Sequence, residues 1–583
     1  MKRYACKRSC ILIGLALSLL SGCIERRHIQ SQQEIDAEKS KPTKMDSLSS
    51  SIPAVQKTIQ LFDVTDQSGI DFVHNDGSFG KFLLPETMSG GLALFDYDGD
   101  DLIDICFCNG ASLILEANST RKGNALFKNL GGLKFREVTR EAGLVIPGFG
   151  LGVTVGDYDN DGFQDIFASN FGRNTLYHNL GDGVFEQVRL PFADGSDERF
   201  SAGACFADFD GDGNLDLFIA NYVDLSPKEI PQLSLLSRTT YPGPQDFPPG
   251  SNQLLRNSGD GSWSDASTSS KISSVRGTGM GCITGDFDVD GDIDIFVVND
   301  EMPNFFFRND GAGTFDEVAF AMGIAVDRMG AASGSMGVDA GDLNNDGRCD
   351  LFVTTFENEL VNYYQMTELG VFQDVTRQSH IGDGTLPHVK WGCCIADFDH
   401  DSDRDLIVAS GHLDRRSGDK FYKCQNLVIQ NLLQEKHASQ FTNVTERCGD
   451  MASVLHCSRG AAVADIDNDG DLDVVVMNLR ERPTLIENRS AQLQNHWLQI
   501  RLIGTSTNRD AIGARLHVVA GDLELFDEVR NGRGYQSYWG SRLHFGLGTK
   551  TWIDRIEIDW FDGKRQIIEH PQPDHVFTIV QDR

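Results

Sequence analysis

The chain has 583 residues, with 85 Asp and Glu against 52 Lys and Arg and a formal net charge of −33. That balance argues against a nucleic-acid ligand, whose binding requires a basic footprint. The 13 cysteines include no CxxC or CxxCH spacing, so thioredoxin-like redox chemistry and covalent c-type haem find no support.

The N-terminus carries Lys2, Arg3, Lys7 and Arg8, an apolar run from Ile11 to Leu20, and then Leu20-Ser21-Gly22-Cys23. The run is too short to span a bilayer, which takes about 20 apolar residues. It reads as a signal peptide over residues 1–22, and Leu-Ser-Gly-Cys looks like a bacterial lipobox that places a lipid on Cys23. An ordinary signal peptide is the alternative. Residues 23–57, rich in Ser, Gln, Lys and Glu, read as a lipidated cysteine and a disordered tether. The expected address is the cell envelope, extracytoplasmic and membrane-anchored through lipid.

From residue 58 a nine-residue pattern, D-x-[DN]-x-D-x-x-x-D, recurs seven times. Its polar positions are Asp96, Asp98, Asp100 and Asp104; Asp157, Asp159, Asp161 and Asp165; Asp208, Asp210, Asp212 and Asp216; Asp286, Asp288, Asp290 and Asp294; Asp342, Asn344, Asp346 and Asp350; Asp397, Asp399, Asp401 and Asp405; and Asp465, Asp467, Asp469 and Asp473. Oxygens at alternate loop positions converge on a hard cation that takes six to eight of them, so each loop is a candidate Ca²⁺ site with a structural role. Glycine at position six permits a sharp turn with positive φ. Bound cations would neutralise much of the acidity, so the negative charge need not imply a cationic partner. Carboxylates this close repel one another, which couples metal to folding.

Each loop is preceded by Gly and a short apolar run and followed by a β-rich run such as Leu217-Phe218-Ile219-Ala220. Next come Asn-x-hydrophobic-hydrophobic-x-Asn, a Gly-rich turn and Phe-x-x-Val-Thr, as in the stretches from Asn174 and Asn304. Each unit therefore reads as four short strands, and seven such units argue for a β-propeller over residues 58–489. The seventh unit lacks a fourth strand, while Leu61-Phe62-Asp63-Val64-Thr65 supplies one ahead of the first loop. The N-terminal strand is thus expected to close the ring. The fold class is all-β: a seven-bladed integrin-α-like propeller followed by a small β-sandwich-like domain over residues 490–583.

The chain resembles the FG-GAP/VCBS-repeat proteins with a C-terminal ASPIC/UnbV domain, the cartilage acidic protein-like family. The resemblance covers roughly residues 60 to 580. It rests on the loops and on Asn508-Arg509-Asp510-Ala511-Ile512-Gly513-Ala514-Arg515, Gly532-Arg533-Gly534-Tyr535 and His544-Phe545-Gly546-Leu547-Gly548. It implies an extracytoplasmic, calcium-stabilised propeller with no established enzymatic activity. No cysteine follows Cys457, so the EGF-like module of the animal relatives is expected to be absent. Asp101 and Ser402 replace Gly in the first and sixth loops, which makes those two sites the least secure.

Strand-like runs in the tail are Trp497–Leu502, Arg515–Val519, Leu523–Val529, Arg555–Trp560 and Gln566–Glu569. Asn508, Arg509 and Asp510 form either a site or a loop holding a salt bridge. Cys448 and Cys457 are the candidate disulfide by proximity, whereas Cys205, Cys282, Cys393 and Cys394 read as buried thiols. GxSxG, HExxH and GxxxxGK[ST] are absent, and His74 and His412 read as hydrogen-bonded scaffold residues rather than bases, so the chain is not expected to be an enzyme.

Calcium loops and Gly turns share one face of a propeller, which leaves the long irregular loops on the other. Those loops carry Tyr241 and Phe247 and the basic Arg415, Arg416 and Lys420, the residues expected to meet a partner. The expected function is a binding or adhesion module for a protein or polysaccharide partner. A propeller-scaffold enzyme acting on cell-surface glycans and a structural scaffold of an envelope complex are the alternatives.

Overall fold

Every apolar run beside an acidic loop is a strand. The structure, a computed structural model, describes residues 59–583 except 114–122, 145–147, 193–197, 414–421, 437–439, 491–494 and 541. Cys23, the tether, Arg415, Arg416 and Lys420 lie outside the described residues. Among the described residues, seven antiparallel four-stranded blades form the ring, five as separate sheets and blades two and three joined in one eight-stranded sheet where Glu198–Phe200 pairs with Phe171–Arg173. The first, Leu92–Phe95, Asp104–Phe107, Ala125–Asn129 and Phe135–Glu137, sets the pattern: acidic loop between strands one and two, Gly turn between three and four.

The first strands are buried on both faces and surround the axis. A β-carbon on Gly91, Gly152, Gly203, Gly281, Gly337, Gly392 or Gly460 would stand 3.0 Å or less from backbone of the next blade, Gly337 for instance 2.2 Å from the Trp391 carbonyl. The glycine ahead of each apolar run therefore lets seven strands crowd one axis. Apolar clusters fill the gaps between blades, where Phe218, Phe307 and Leu254 pack together in one and Phe296, Leu351 and Tyr364 in another.

The ring closes as expected. Leu61–Asp63 pairs antiparallel with Thr484–Asn488, Leu61 opposite Asn488, and so becomes the outer strand of blade seven. Asparagines at the ends of the third strands tie blades together: the Asn129 amide donates to the Ile466 carbonyl of blade seven's loop at 2.9 Å, and Asn179 to Tyr97, Asn257 to Tyr158, Asn309 to Phe209, Asn431 to Leu343 and Asn488 to Phe398 repeat the joint. Blade five has Met366 at that position.

The tail is a sandwich of a three-stranded and a four-stranded sheet around Leu498, Ile500, Leu516, Val518, Phe545, Ile556, Ile558 and Trp560. The five strands read from sequence are present. Two more, Leu543–Gly548 and His575–Val580, flank His496–Ile503 in the three-stranded sheet. The tail has its own core, yet ring and tail make one compact unit. No helix among the described residues is long and apolar enough to cross a membrane.

Candidate metal centres

The first Asp of every loop is held by the loop's own backbone. One carboxylate oxygen accepts the amide of position five at 3.0–3.2 Å, the other that of position six at 2.8–3.1 Å, in all seven copies. Positions four and six are left-handed throughout. Val289 (φ 63°) and His400 (φ 58°) adopt that conformation at position four, and Asp101 (φ 64°) and Ser402 (φ 80°) adopt it where glycine is usual. The two loops without glycine thus keep the same backbone geometry, bearing the strain of a side chain at positive φ.

The ninth-position carboxylates, Asp104, Asp165, Asp216, Asp294, Asp350, Asp405 and Asp473, are buried and anchored to the end of the third strand, as Asn129 N–H donates to Asp104 at 2.7 Å. Burial lifts Asp104 to about 8 and Asp165 and Asp294 to about 9, far above the ordinary carboxyl range. Ligand-type oxygens of Asp96, Asp98 and Asp104 lie within 4.8 Å of one another, and so do those of Asp157, Asp159 and Asp161, of Asp208, Asp210 and Asp212, and of Asp286, Asp288 and Asp290. Buried oxygens of Asp98, Asp210, Asp216, Asp288, Asp294, Asp399, Asp403 and Asp467 have no hydrogen-bond partner. Convergent, buried, unpartnered carboxylate oxygens are what a hard oxygen-seeking cation requires, so the residues present fit one.

The face carrying these loops is covered by the tail. Asp157 N–H donates to Asp510 at 2.7 Å and Arg509 N–H to Asn160 at 2.7 Å, so the Asn508–Asp510 turn is a docking contact on loop two, closed internally by Asn508 and Ile512. Asp286 N–H donates to Glu528 at 3.1 Å, Gln499 to Asp465 at 2.7 Å, Gly548 N–H to the His400 carbonyl at 2.8 Å, and Arg542 to the Asp101 carbonyl at 2.8 Å.

From that sandwich, residues 531–539 descend along the propeller axis. The Asn531 side chain donates to the Val155 carbonyl at 2.7 Å and accepts from Phe206 N–H and the Thr154 hydroxyl. Gly534 exchanges backbone hydrogen bonds with Val338, Tyr538 with Leu92 and Leu94, and Gln536 accepts from Val153 N–H. Arg533 pairs with the fully buried Asp339 at 2.7 Å. Tyr535 reaches furthest, its ring 5.0 Å edge-on to Trp391 and its hydroxyl donating to the Met88 carbonyl at 2.8 Å. From the opposite end Leu84, Met88, Phe149, Phe200 and Tyr222 pack into the same cluster as Tyr535. Sequence reading missed this stopper; the Gly-Arg-Gly-Tyr stretch was its signal.

On the opposite face, the Tyr241 hydroxyl donates to Glu86 at 3.2 Å and its ring meets Phe82 edge-on. Phe247 packs against the axial cluster with Leu225, Ile230 and Leu233. Both aromatics anchor their loop, whose exposed apolar residues are Leu235 and Leu236. His74 is buried against Ser89, and burial lowers it to about 4. His412 sits 3.5 Å from Glu357, and its carbonyl accepts from the Cys457 thiol. Cys448 and Cys457 are free thiols in different apolar clusters, so the expected pairing is not formed.

Comparison with known proteins agrees with this architecture. An FG-GAP-like repeat model matches residues 96–168, 157–219, 245–297, 286–353 and 342–408, and an ASPIC and UnbV model matches residues 504–583. The chain is an FG-GAP-repeat propeller protein with a C-terminal ASPIC/UnbV domain. It is homologous to cartilage acidic protein 1: the Xenopus tropicalis protein is 25% identical over 509 residues, 82% of this chain and 71% of that one, and the Homo sapiens protein 24% over 514 residues, 82% and 70%. Among solved structures, an Agrocybe aegerita lectin that recognises non-reducing terminal N-acetylglucosamine aligns at TM-score 0.36 and 18% identity, over 62% of this chain and 82% of its own. YCF48 bound to D1 peptide aligns at 0.35 and 9%, over 69% and 91%. At those scores neither structural likeness carries an argument.

Proposed function

We propose that this chain is a calcium-stabilised propeller that serves as a non-enzymatic binding or adhesion module for a protein or polysaccharide partner, held at the cell envelope by a lipid on Cys23. The observation that carries the reading is the division of labour between the two faces. One face presents seven carboxylate loops and is capped by the tail, whose stopper occupies the axis. The other presents the long connections of a rigid scaffold, where recognition ordinarily resides. When bound, Ca²⁺ supplies the positive charge that the buried carboxylates lack; the chain's own residues hold the loop backbone and orient the oxygens.

The test uses the chain from residue 24 onward. Metal content and thermal unfolding are measured with calcium and after chelation, and Leu235→Asp/Leu236→Asp is compared with wild type for retention on a panel of envelope glycans and on intact cells. Several Ca²⁺ per chain, a melting temperature that collapses on chelation, and retention lost in the folded variant are expected. No bound calcium and no shift would overturn the metal assignment; unchanged retention would move recognition elsewhere.

A further inference from the structure

The seven loops share a backbone but not a neighbour. The residue just before the end of each third strand changes identity from blade to blade, Lys128, His178, Arg256, Arg308, Gln365, Gln430 and Glu487, and the side chains of Lys128, His178, Arg256 and Gln430 reach loop carboxylates. Lys128 places its ammonium against Asp98, in a very short contact, and against Asp100 at 3.0 Å. In loop three, Arg256 lies 3.1 Å from Asp210. His178 is 3.3 Å from Asp159 and 3.2 Å from Asp165 in loop two.

Loop six lacks such a cation. Gln430 donates to Asp399 at 3.0 Å, a neutral contact. Loops six and seven also have a fifth carboxylate at position seven, Asp403 and Asp471, where Leu102 stands in loop one, and the neighbour of loop seven is the acidic Glu487; loop four has Asp292 there, but beside Arg308. Asp397, Asp399, Asp403 and Asp405 are all buried, and oxygens of Asp399 and Asp403 have no hydrogen-bond partner. Glu435 adds negative charge within electrostatic range of Asp399, Asp401 and Asp403.

We propose that the chain's cation sites are graded rather than equivalent: Lys128 acts as a tethered cation that occupies loop one and excludes or weakens metal there, whereas loops six and seven, with five carboxylates each and no basic third-strand neighbour, are the tightest sites. The inference rests on the calcium reading above. Its physical basis is that ligand charge count tunes the affinity of a hard-cation site, and that an ammonium already seated on two carboxylates has to be displaced before a metal can use them. A tethered cation serves loop one structurally: it relieves carboxylate repulsion at every calcium concentration, so the first blade holds its shape when other loops empty.

The experiment is calcium titration of the chain from residue 24, by isothermal calorimetry and by competition with terbium luminescence, for wild type, Lys128→Gln, Lys128→Arg and Asp403→Asn. Wild type should show more than one affinity class, with two sites in the tightest. Lys128→Gln should gain one tight site, its affinity roughly tenfold or more above the wild-type value for that loop, while Lys128→Arg, which keeps the charge, behaves as wild type. Asp403→Asn should weaken one of the two tightest sites and leave the other unchanged. Seven equivalent sites in wild type, or an unchanged isotherm in Lys128→Gln, would overturn the grading while leaving calcium binding intact. Absence of any calcium binding would overturn both.

Discussion

Tyr535 tests whether the tail is a passenger or part of the ring. Its side chain is fully buried on the axis, edge-on to Trp391, with its hydroxyl on the Met88 carbonyl. Truncation to alanine removes a whole aromatic ring from a site bounded by the first strands of the blades, which cannot all move inward. The cost should fall at about 3–5 kcal/mol, as for other large-to-small changes in rigid cores. Phenylalanine keeps the ring and loses one hydrogen bond, at about 1 kcal/mol. Equilibrium urea unfolding followed by tryptophan fluorescence reports the change, with Trp391 beside the mutated position. If the stopper ties sandwich and blades together, wild type unfolds in one transition and Tyr535→Ala lowers its midpoint sharply. A loss below about 1 kcal/mol, or two independent transitions in wild type, would refute the account of the axis as a shared core.

The blade joints make a second prediction. Asn179→Ala removes the donors to the Tyr97 and Gln164 carbonyls and the acceptor for Gly181 N–H in a fully buried position, and should cost about 2–3 kcal/mol in the same assay. A third concerns pH. Burial, helped by Asp76 and opposed by the Tyr241 hydroxyl, raises Glu86 from 4.5 to about 7. Ionised Glu86 therefore weakens the fold: stability that is intact below about pH 4.5 is lost as pH rises through 7, a loss of about 1–2 kcal/mol after allowance for screening. Glu86→Gln should flatten that decline when urea midpoints are compared at pH 5, 6, 7 and 8; an unchanged slope would place the titration elsewhere.

Much of the ring was legible because its signals are local and repeated. Asp at alternating positions and Gly ahead of an apolar run each mark one element in all seven blades, and Asn at the strand end does so in six. Even the closing strand could be found, since Leu61-Phe62-Asp63-Val64-Thr65 copies a motif seen elsewhere in the chain. The axial stopper and the capped face were not legible, because both depend on contacts between residues distant in sequence, such as Asn531 on Val155 and Asp510 on Asp157. Asp101 and Ser402 marked loops one and six as alike in sequence, yet Lys128 and Asp403 set them apart once side chains are placed. Tyr241 and Phe247 suggest recognition by their chemistry; instead both are half-buried, Phe247 against the axial cluster and Tyr241 against Glu86 and Phe82, contacts that no local pattern announces.

Closure of the ring by its two ends also sets a schedule for synthesis. Gln60 N–H meets the Ser490 hydroxyl across 430 residues of chain, and at about 5–20 residues per second the ribosome needs roughly 20–90 s to supply that partner. Throughout that interval Leu61–Asp63 is a short strand without a ladder, and the blades already made can stack only as an open crescent. The stopper emerges later still. Ring closure and axis filling therefore wait on residues 484–490 and 531–539, and until these arrive the crescent's open flank is exposed to a second nascent copy.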